Sequence, residues 1–153
     1  MTFFENLVSN ELFVSAAIGW LVAQILKTII HTLLTKDFDI ERMYGSGGMP
    51  SSHSSTVTAL ATSSYFLHGA ASSEFAISAI LAIIVMYDAR GVRRETGIQA
   101  KVLNELIELL ADVHNEIMPL DEKLKEFVGH TPLQVLAGAI LGFVIAYIVH
   151  FCF

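Results

Sequence analysis

The sequence predicts an all-α fold, an integral membrane bundle of about four transmembrane helices plus one amphipathic interfacial helix. Three observations predict it. The 153 residues are 54% hydrophobic and only 16% charged, too little charge to keep the surface of a soluble domain wet. The apolar residues gather into runs of membrane-spanning length. Basic residues collect on one side of the topology that those runs imply. The length suits a single membrane domain over residues 1–153. Spans are expected near 12–34, 52–71, 74–89 and 132–153, and the amphipathic helix near 92–118.

The run Leu12–Leu34 as a helix extends about 34 Å, enough to cross a bilayer core. Lys27 and His31 interrupt it four residues apart, on one helix face. The first ten residues carry no Lys or Arg, so this run is expected to be a retained anchor and not a cleaved signal. Glycines and Pro50 then end any helix. From Ser51 onward the chain is only moderately apolar and rich in Ser and Thr, which suits a helix packed inside a bundle, where hydroxyls find partners. A turn near His68–Glu74 leads to FAISAILAIIVMYDARG. Its apolar part is short, so Tyr87, Asp88 and Arg90 are expected at the membrane surface.

Ile98, Val102, Leu106, Leu109 and Val113 recur at spacings of three and four, with Lys101, Asn104, Glu105, Glu108 and Asp112 elsewhere. That pattern predicts an amphipathic helix lying on the membrane or against a partner. The last run, Pro132–Phe153, is long enough to cross, with Pro132 at its start where a missing N–H costs least.

Four spans place both chain ends and the turn near residue 70 on one side. Except for Lys27, every basic residue falls in the two connections on the other side: Lys36, Arg42, Arg90, Arg93, Arg94, Lys101, Lys123 and Lys125. This asymmetry predicts that those connections face the cytoplasm, most simply at the cell membrane. The net charge of −6 argues against a nucleic-acid partner. One cysteine, Cys152, builds neither a disulfide nor a thiolate metal site. The histidines lack a matching ligand set, so no metal or other cofactor is expected. A homo-oligomer is compatible with the sequence, which carries no signal for oligomeric state.

Four groups of residues are chemically suggestive. In GSGGMPSSHS (Gly45–Ser54), glycines allow close backbone approach to an anion, and a helix starting near Pro50 points free N–H groups at it. Ser51 and Ser52 add donors and His53 falls in the first turn; the plainer alternative is a flexible turn with serine caps. The run Asp88–Arg94 offers Arg90, Arg93 and Arg94, three guanidinium groups suited to a phosphate ester or, equally, to anionic lipid. His130, just before the last span, falls on the same membrane surface as His53. Lys27 is an ionisable group inside a span, functional by default unless it snorkels to the nearby surface. His68, His114 and His150 are expected to be structural or surface residues.

The order of these motifs carries a resemblance. MPSSHS followed by GHTPLQVLAGAILG resembles the phosphatidic acid phosphatase type 2 and vanadium haloperoxidase superfamily. GGMPSSHS together with YDARGVRRETGIQAKVLNEL looks like its divergent membrane branch, called acid phosphatase-related. The resemblance spans nearly the whole chain. It implies a metal-independent phosphatase in which His130 attacks phosphorus to form a phosphohistidine and His53 protonates the leaving group. Backbone N–H groups around Ser51 and Ser52 would hold phosphate oxygens, and Lys27 would fill the role of the first-motif lysine. Three positions depart from the superfamily pattern. Ser52 stands at a glycine position, Leu124 at an arginine position and Gln134 at an aspartate position. Gln134 still accepts a bond from His130, and Arg93 and Arg94 are the candidates to replace the missing arginine. Arg42, Asp88 and Arg90 are further candidates near the site.

The expected function is hydrolysis of a lipid or isoprenoid phosphate, with membrane lipids as surroundings. The first alternative is a non-catalytic binder or carrier of phosphorylated lipids. The second is a structural subunit that docks a partner through Leu106 and Leu109.

Overall fold

The computed structural model describes residues 2–36, 48–113 and 130–153. These form six helices: α1 (Phe3–Val8), α2 (Glu11–Thr35), α3 (Ser52–His68), α4 (Ser73–Arg90), α5 (Val92–Val113) and α6 (Pro132–Cys152). No strand occurs among the described residues, and the chain is an all-α membrane bundle. The helix α2, the helix α6 and the run beginning at Ser73 are long and apolar enough to cross a membrane. α3, with 17 residues, is shorter and packs in their midst, against α2, α4 and α6.

Every helix but α5 starts where a side chain can take up an orphan N–H. The Asn10 side chain accepts from Phe13 N at 3.1 Å, Ser51 from Ser54 N at 3.3 Å and Ser72 from Phe75 N at 3.2 Å. Thr131 and Gln134 form a reciprocal capping box ahead of α6. α1, which the hydropathy pattern does not announce, rests on the same device between Thr2 and Glu5. α3 stops at Gly69, whose φ of 79° suits glycine.

The interior is polar and small, and the outside is large and apolar. Ser15, Ser51, Ser54, Ser55, Ser63, Ser64, Ala23, Ala59 and Ala146 are fully buried. Leu34 and Ile77 are 80% and 70% exposed. A water-soluble core has the opposite arrangement. In a membrane, lipid solvates the outer face, and small residues let helices approach closely enough for backbone packing and interhelical bonds. Gly138 and Gly142 of α6 lie against the backbone of α3: a Cβ at Gly138 would meet the Ser51 carbonyl, and one at Gly142 the Ser55 carbonyl. Gly19 of α2 faces Ala59 and Ser55, and the Ser55 hydroxyl donates to the Gly19 carbonyl at 2.8 Å.

At the far end from the candidate site, His150 and Glu11 pair at 2.8 Å (Nδ1 to Oε1), and the imidazole stacks on Phe66 with ring centroids 4.9 Å apart. Thus His150 ties α6 to α2 and α3 there.

α4 and α5 meet at Gly91. The sequence places Arg90, Arg93, Arg94 and Gly97 on one face if a single helix begins early enough. Instead α4 ends at Arg90, and Gly91 breaks the phase before α5 begins. On α5 the stripe Ile98, Val102, Leu106 and Leu109 is exposed, while Gly97, Ala100 and Asn104 are buried. Asn104, expected on the polar side, therefore lies on the packed side.

Candidate active site

The C-terminal ends of α2 and α4 and the N-terminal ends of α3 and α6 come together around His130. The backbone fixes this residue before its side chain is considered. The His130 N–H donates to the Ala89 carbonyl near the end of α4 at 3.0 Å. One turn into α6, the Gln134 carbonyl accepts from Ser51 N at 3.0 Å. The segment ahead of α6 is thus held to α4 and α3 together, and His130 is only 2% exposed.

The imidazole of His130 meets Gln134, whose Oε1 lies 3.3 Å from Nδ1. That same Oε1 accepts the Thr131 N–H at 3.0 Å, which identifies it as the amide oxygen and not the nitrogen. An amide oxygen only accepts, so this contact favours the tautomer with its hydrogen on Nδ1. The His53 ring, from the first turn of α3, approaches edge-on with centroids 6.2 Å apart. Burial holds the His130 pKa below the ordinary histidine value. The positive charges of His53 and Lys27 act in the same direction, and the Gln134 bond and the Gly48 carbonyl only partly oppose them.

Lys27 belongs to this cluster despite lying two turns inside α2. It is 3% exposed, and Gly48 lies on its aliphatic stem: a Cβ there would come within 3.0 Å of Cγ. With φ of +84°, Gly48 also takes a conformation that side chains disfavour. Its glycine is required for packing on the lysine. A buried ammonium beside two imidazoles makes the pocket strongly suited to an anion, because charge interactions strengthen in a low dielectric.

The serines divide their roles. The Ser51 N–H is committed to Gln134, and its hydroxyl accepts from Ser54 N and, at 3.0 Å, from the Ser54 hydroxyl. Ser51 is therefore a structural cap in this arrangement and its amide is not an anion donor. Ser52 is the first residue of α3, and its N–H belongs to the helix end that attracts anions. Asp88 is half-buried on α4 and Arg90 exposed. Arg93 and Arg94 lie in the first turn of α5, with side chains outside the described set; Arg42 and Leu124 lie outside the described residues. Among the described residues, no three His, Cys, Asp or Glu side chains gather to hold a metal ion. Two contributions escaped the sequence: the Ala89 carbonyl, a backbone acceptor with no side-chain signature, and the Gly138–Gly142 pair, whose small-xxx-small spacing was the available signal.

Fold and comparisons define the class: an integral membrane protein, all-helical, with two histidines and a lysine gathered at one end of the bundle. The chain belongs to the Divergent PAP2 family, which it matches over residues 8–145. It is 37% identical over 156 residues to YuiD of Bacillus subtilis (strain 168), an uncharacterized membrane protein, covering 97% of this chain and 99% of that one. No solved structure matches it.

Proposed function

We propose that the protein is a membrane phosphatase that hydrolyses a lipid or isoprenoid phosphate through a phosphohistidine on His130. The observation that carries the proposal is the buried His130, with Nδ1 against the Gln134 amide oxygen and its ring facing His53. The Nε2 lone pair attacks phosphorus, and the phosphorus–oxygen bond to the lipid breaks. His53 gives its proton to the leaving alkoxide. His53 then takes a proton from water, which attacks the phosphohistidine, releasing phosphate and restoring His130. Lys27 and the first turn of α3 hold the phosphoryl oxygens, with Arg93 and Arg94 as further candidates. The site faces the cytoplasm of the cell membrane, on the basic-residue asymmetry.

Trapping tests the proposal directly. Purified protein mixed with labelled geranylgeranyl phosphate or phosphatidate and quenched in alkali should carry acid-labile label on the peptide containing His130. Label that is absent from folded protein, or sits on another residue, refutes the phosphohistidine.

Two further outcomes are expected. Replacing Lys27 by methionine keeps the stem under Gly48 and removes the charge, so phosphate release should fall about a hundredfold, the scale of losing one preorganised electrostatic contact. Release within twofold of wild type would remove Lys27 from the site. The lowered pKa of His130 means the nucleophile stays neutral below the ordinary value of 6.5. Phosphoenzyme formation should therefore hold as pH falls through 6.5 and decline only under more acid conditions. A decline centred at or above 6.5 contradicts the assigned nucleophile.

A carrier of phosphorylated lipids is the second proposal, favoured by one observation: Gln134 bonds Nδ1 without the negative charge that steadies an imidazolium. It predicts phospholipid binding with no label on His130.

A further inference from the structure

Helix α5 buries one face and exposes an apolar stripe on the other. Gly97, Ala100 and Asn104 are buried. The stripe Ile98, Val102, Leu106 and Leu109 stands roughly 160° round the helix from them, at about 100° per residue. Every residue of the stripe is exposed, Val102 by 58% and Leu109 by 64%. The two remaining edges differ from each other. Lys101, Glu105 and Glu108 line one of them and are exposed, with Lys101 and Glu105 paired at 3.7 Å. Leu103 and Ile107 stand on the other edge.

α5 begins where α4 ends, at Gly91, beside Tyr87 and Arg90, residue types that mark a membrane boundary. Along that boundary the charged edge takes the water side and the Leu103–Ile107 edge the hydrocarbon side. The stripe then points sideways, in the plane of the membrane. Lipid headgroups are a poor match for it. Helices that lie on lipid are rich in Lys and Arg on the polar face, whereas this charged edge carries two acids to one base.

The order of charge along α5 identifies a better partner. Its first half carries Arg93, Arg94 and Lys101 against Glu95, and its second half carries Glu105, Glu108 and Asp112 with no base. That order opposes the helix's own macrodipole, which favours acids first and bases last. An antiparallel copy of the same helix sets each basic half beside an acidic half and offsets the penalty.

We infer that the stripe docks the same stripe of a second copy, antiparallel, about a two-fold axis normal to the membrane. Such an axis makes the contact self-complementary and keeps both charged edges on the water side of the seam. The spacing sets the register: Ile98 meets the partner's Leu109, Val102 meets the partner's Leu106, and Lys101 comes beside the partner's Glu108. The pairing does not depend on the phosphatase chemistry.

Disulfide trapping of the full chain in native membranes tests the pairing, with Cys152→Ser removing the native thiol. Two differently tagged copies are co-expressed, one with Ile98→Cys and the other with Leu109→Cys, and oxidised with copper phenanthroline. A mixed disulfide is expected, as it is from Val102→Cys with Leu106→Cys. Two copies that both carry Ile98→Cys should give none, because antiparallel pairing holds those positions about 16 Å apart. Lys101→Glu in one copy should lower the mixed product about threefold, and Glu108→Lys in the other should restore it. A measurement without introduced thiols stands beside these: Leu106→Asp with Leu109→Asp should end co-purification of the two tags in mild detergent and leave the melting temperature unchanged. Strong product between two Ile98→Cys copies means a parallel pair. Equal product from Ile83→Cys, on the exposed side of α4, means random collision. No mixed product, with co-purification indifferent to the aspartates, means that lipid or another part of the same chain covers the stripe. Each of these three results overturns the inference.

Discussion

His130→Ala is expected to reduce phosphate release at least about a thousandfold, to the background of an unassisted site. The fold should survive. The contact that anchors the segment to α4 runs from the His130 N–H to the Ala89 carbonyl, and alanine retains it. The Thr131–Gln134 capping box needs neither imidazole nitrogen. What is lost is the ring and its bond to Gln134, the bond being worth about 1 kcal/mol and the cavity left by the buried ring a few kcal/mol more. His53→Ala should be milder, because the phosphohistidine still forms when water replaces the general acid, only more slowly. Phosphate release in nanodiscs measures both, with a melting curve in detergent to show that each variant is folded. Near-wild-type release from folded His130→Ala ends the proposed mechanism.

The second large effect is expected far from any reacting atom. Gly142→Leu should disrupt the α3–α6 pair and, with it, the site. A side chain at position 142 meets the Ser55 carbonyl and comes within 3.0 Å of Ala59 N, both backbone atoms that cannot rotate away. The helices must separate, costing at least the roughly 1–3 kcal/mol typical of overpacking. Separation also breaks the Ser51–Gln134 backbone bond, which sets the height of His130 relative to His53. A clear fall in melting temperature together with loss of phosphate release is the expected result. Ile140→Ala, two residues away on the lipid face, supplies the control and should change neither measurement much. An unaltered melting temperature for Gly142→Leu would show that close glycine packing does not hold the bundle.

The positions of the long helices were legible because apolar runs of spanning length have few folded alternatives in a chain so poor in charge. The serine-rich segment from Ser51 was legible as an interior helix for a related reason: hydroxyls need partners that lipid does not supply. The junction at Gly91 was less so. A helical wheel assumes unbroken phase, and Gly91, with non-helical geometry, ends α4 before α5 begins. The leucine stripe of α5 is exposed, as a face meant for the membrane or a partner is, whereas burial of Asn104 with Gly97 and Ala100 carried no hydropathy signal.

By itself the sequence determined the class of molecule and the chemical types available along it. These depend on composition and on order along the chain, which need no partner to be read. The tertiary structure decided which of those groups meet. It joined Lys27, His53 and His130 across three segments distant in sequence, turned the Ser51 amide from an anion donor into a helix tie, and placed Nδ1 of His130 against an oxygen shared with Thr131. Such outcomes depend on how closely backbones approach. In this bundle that distance is set by glycines and serines, residues with little hydropathy signal and almost no side chain to hold the helices apart.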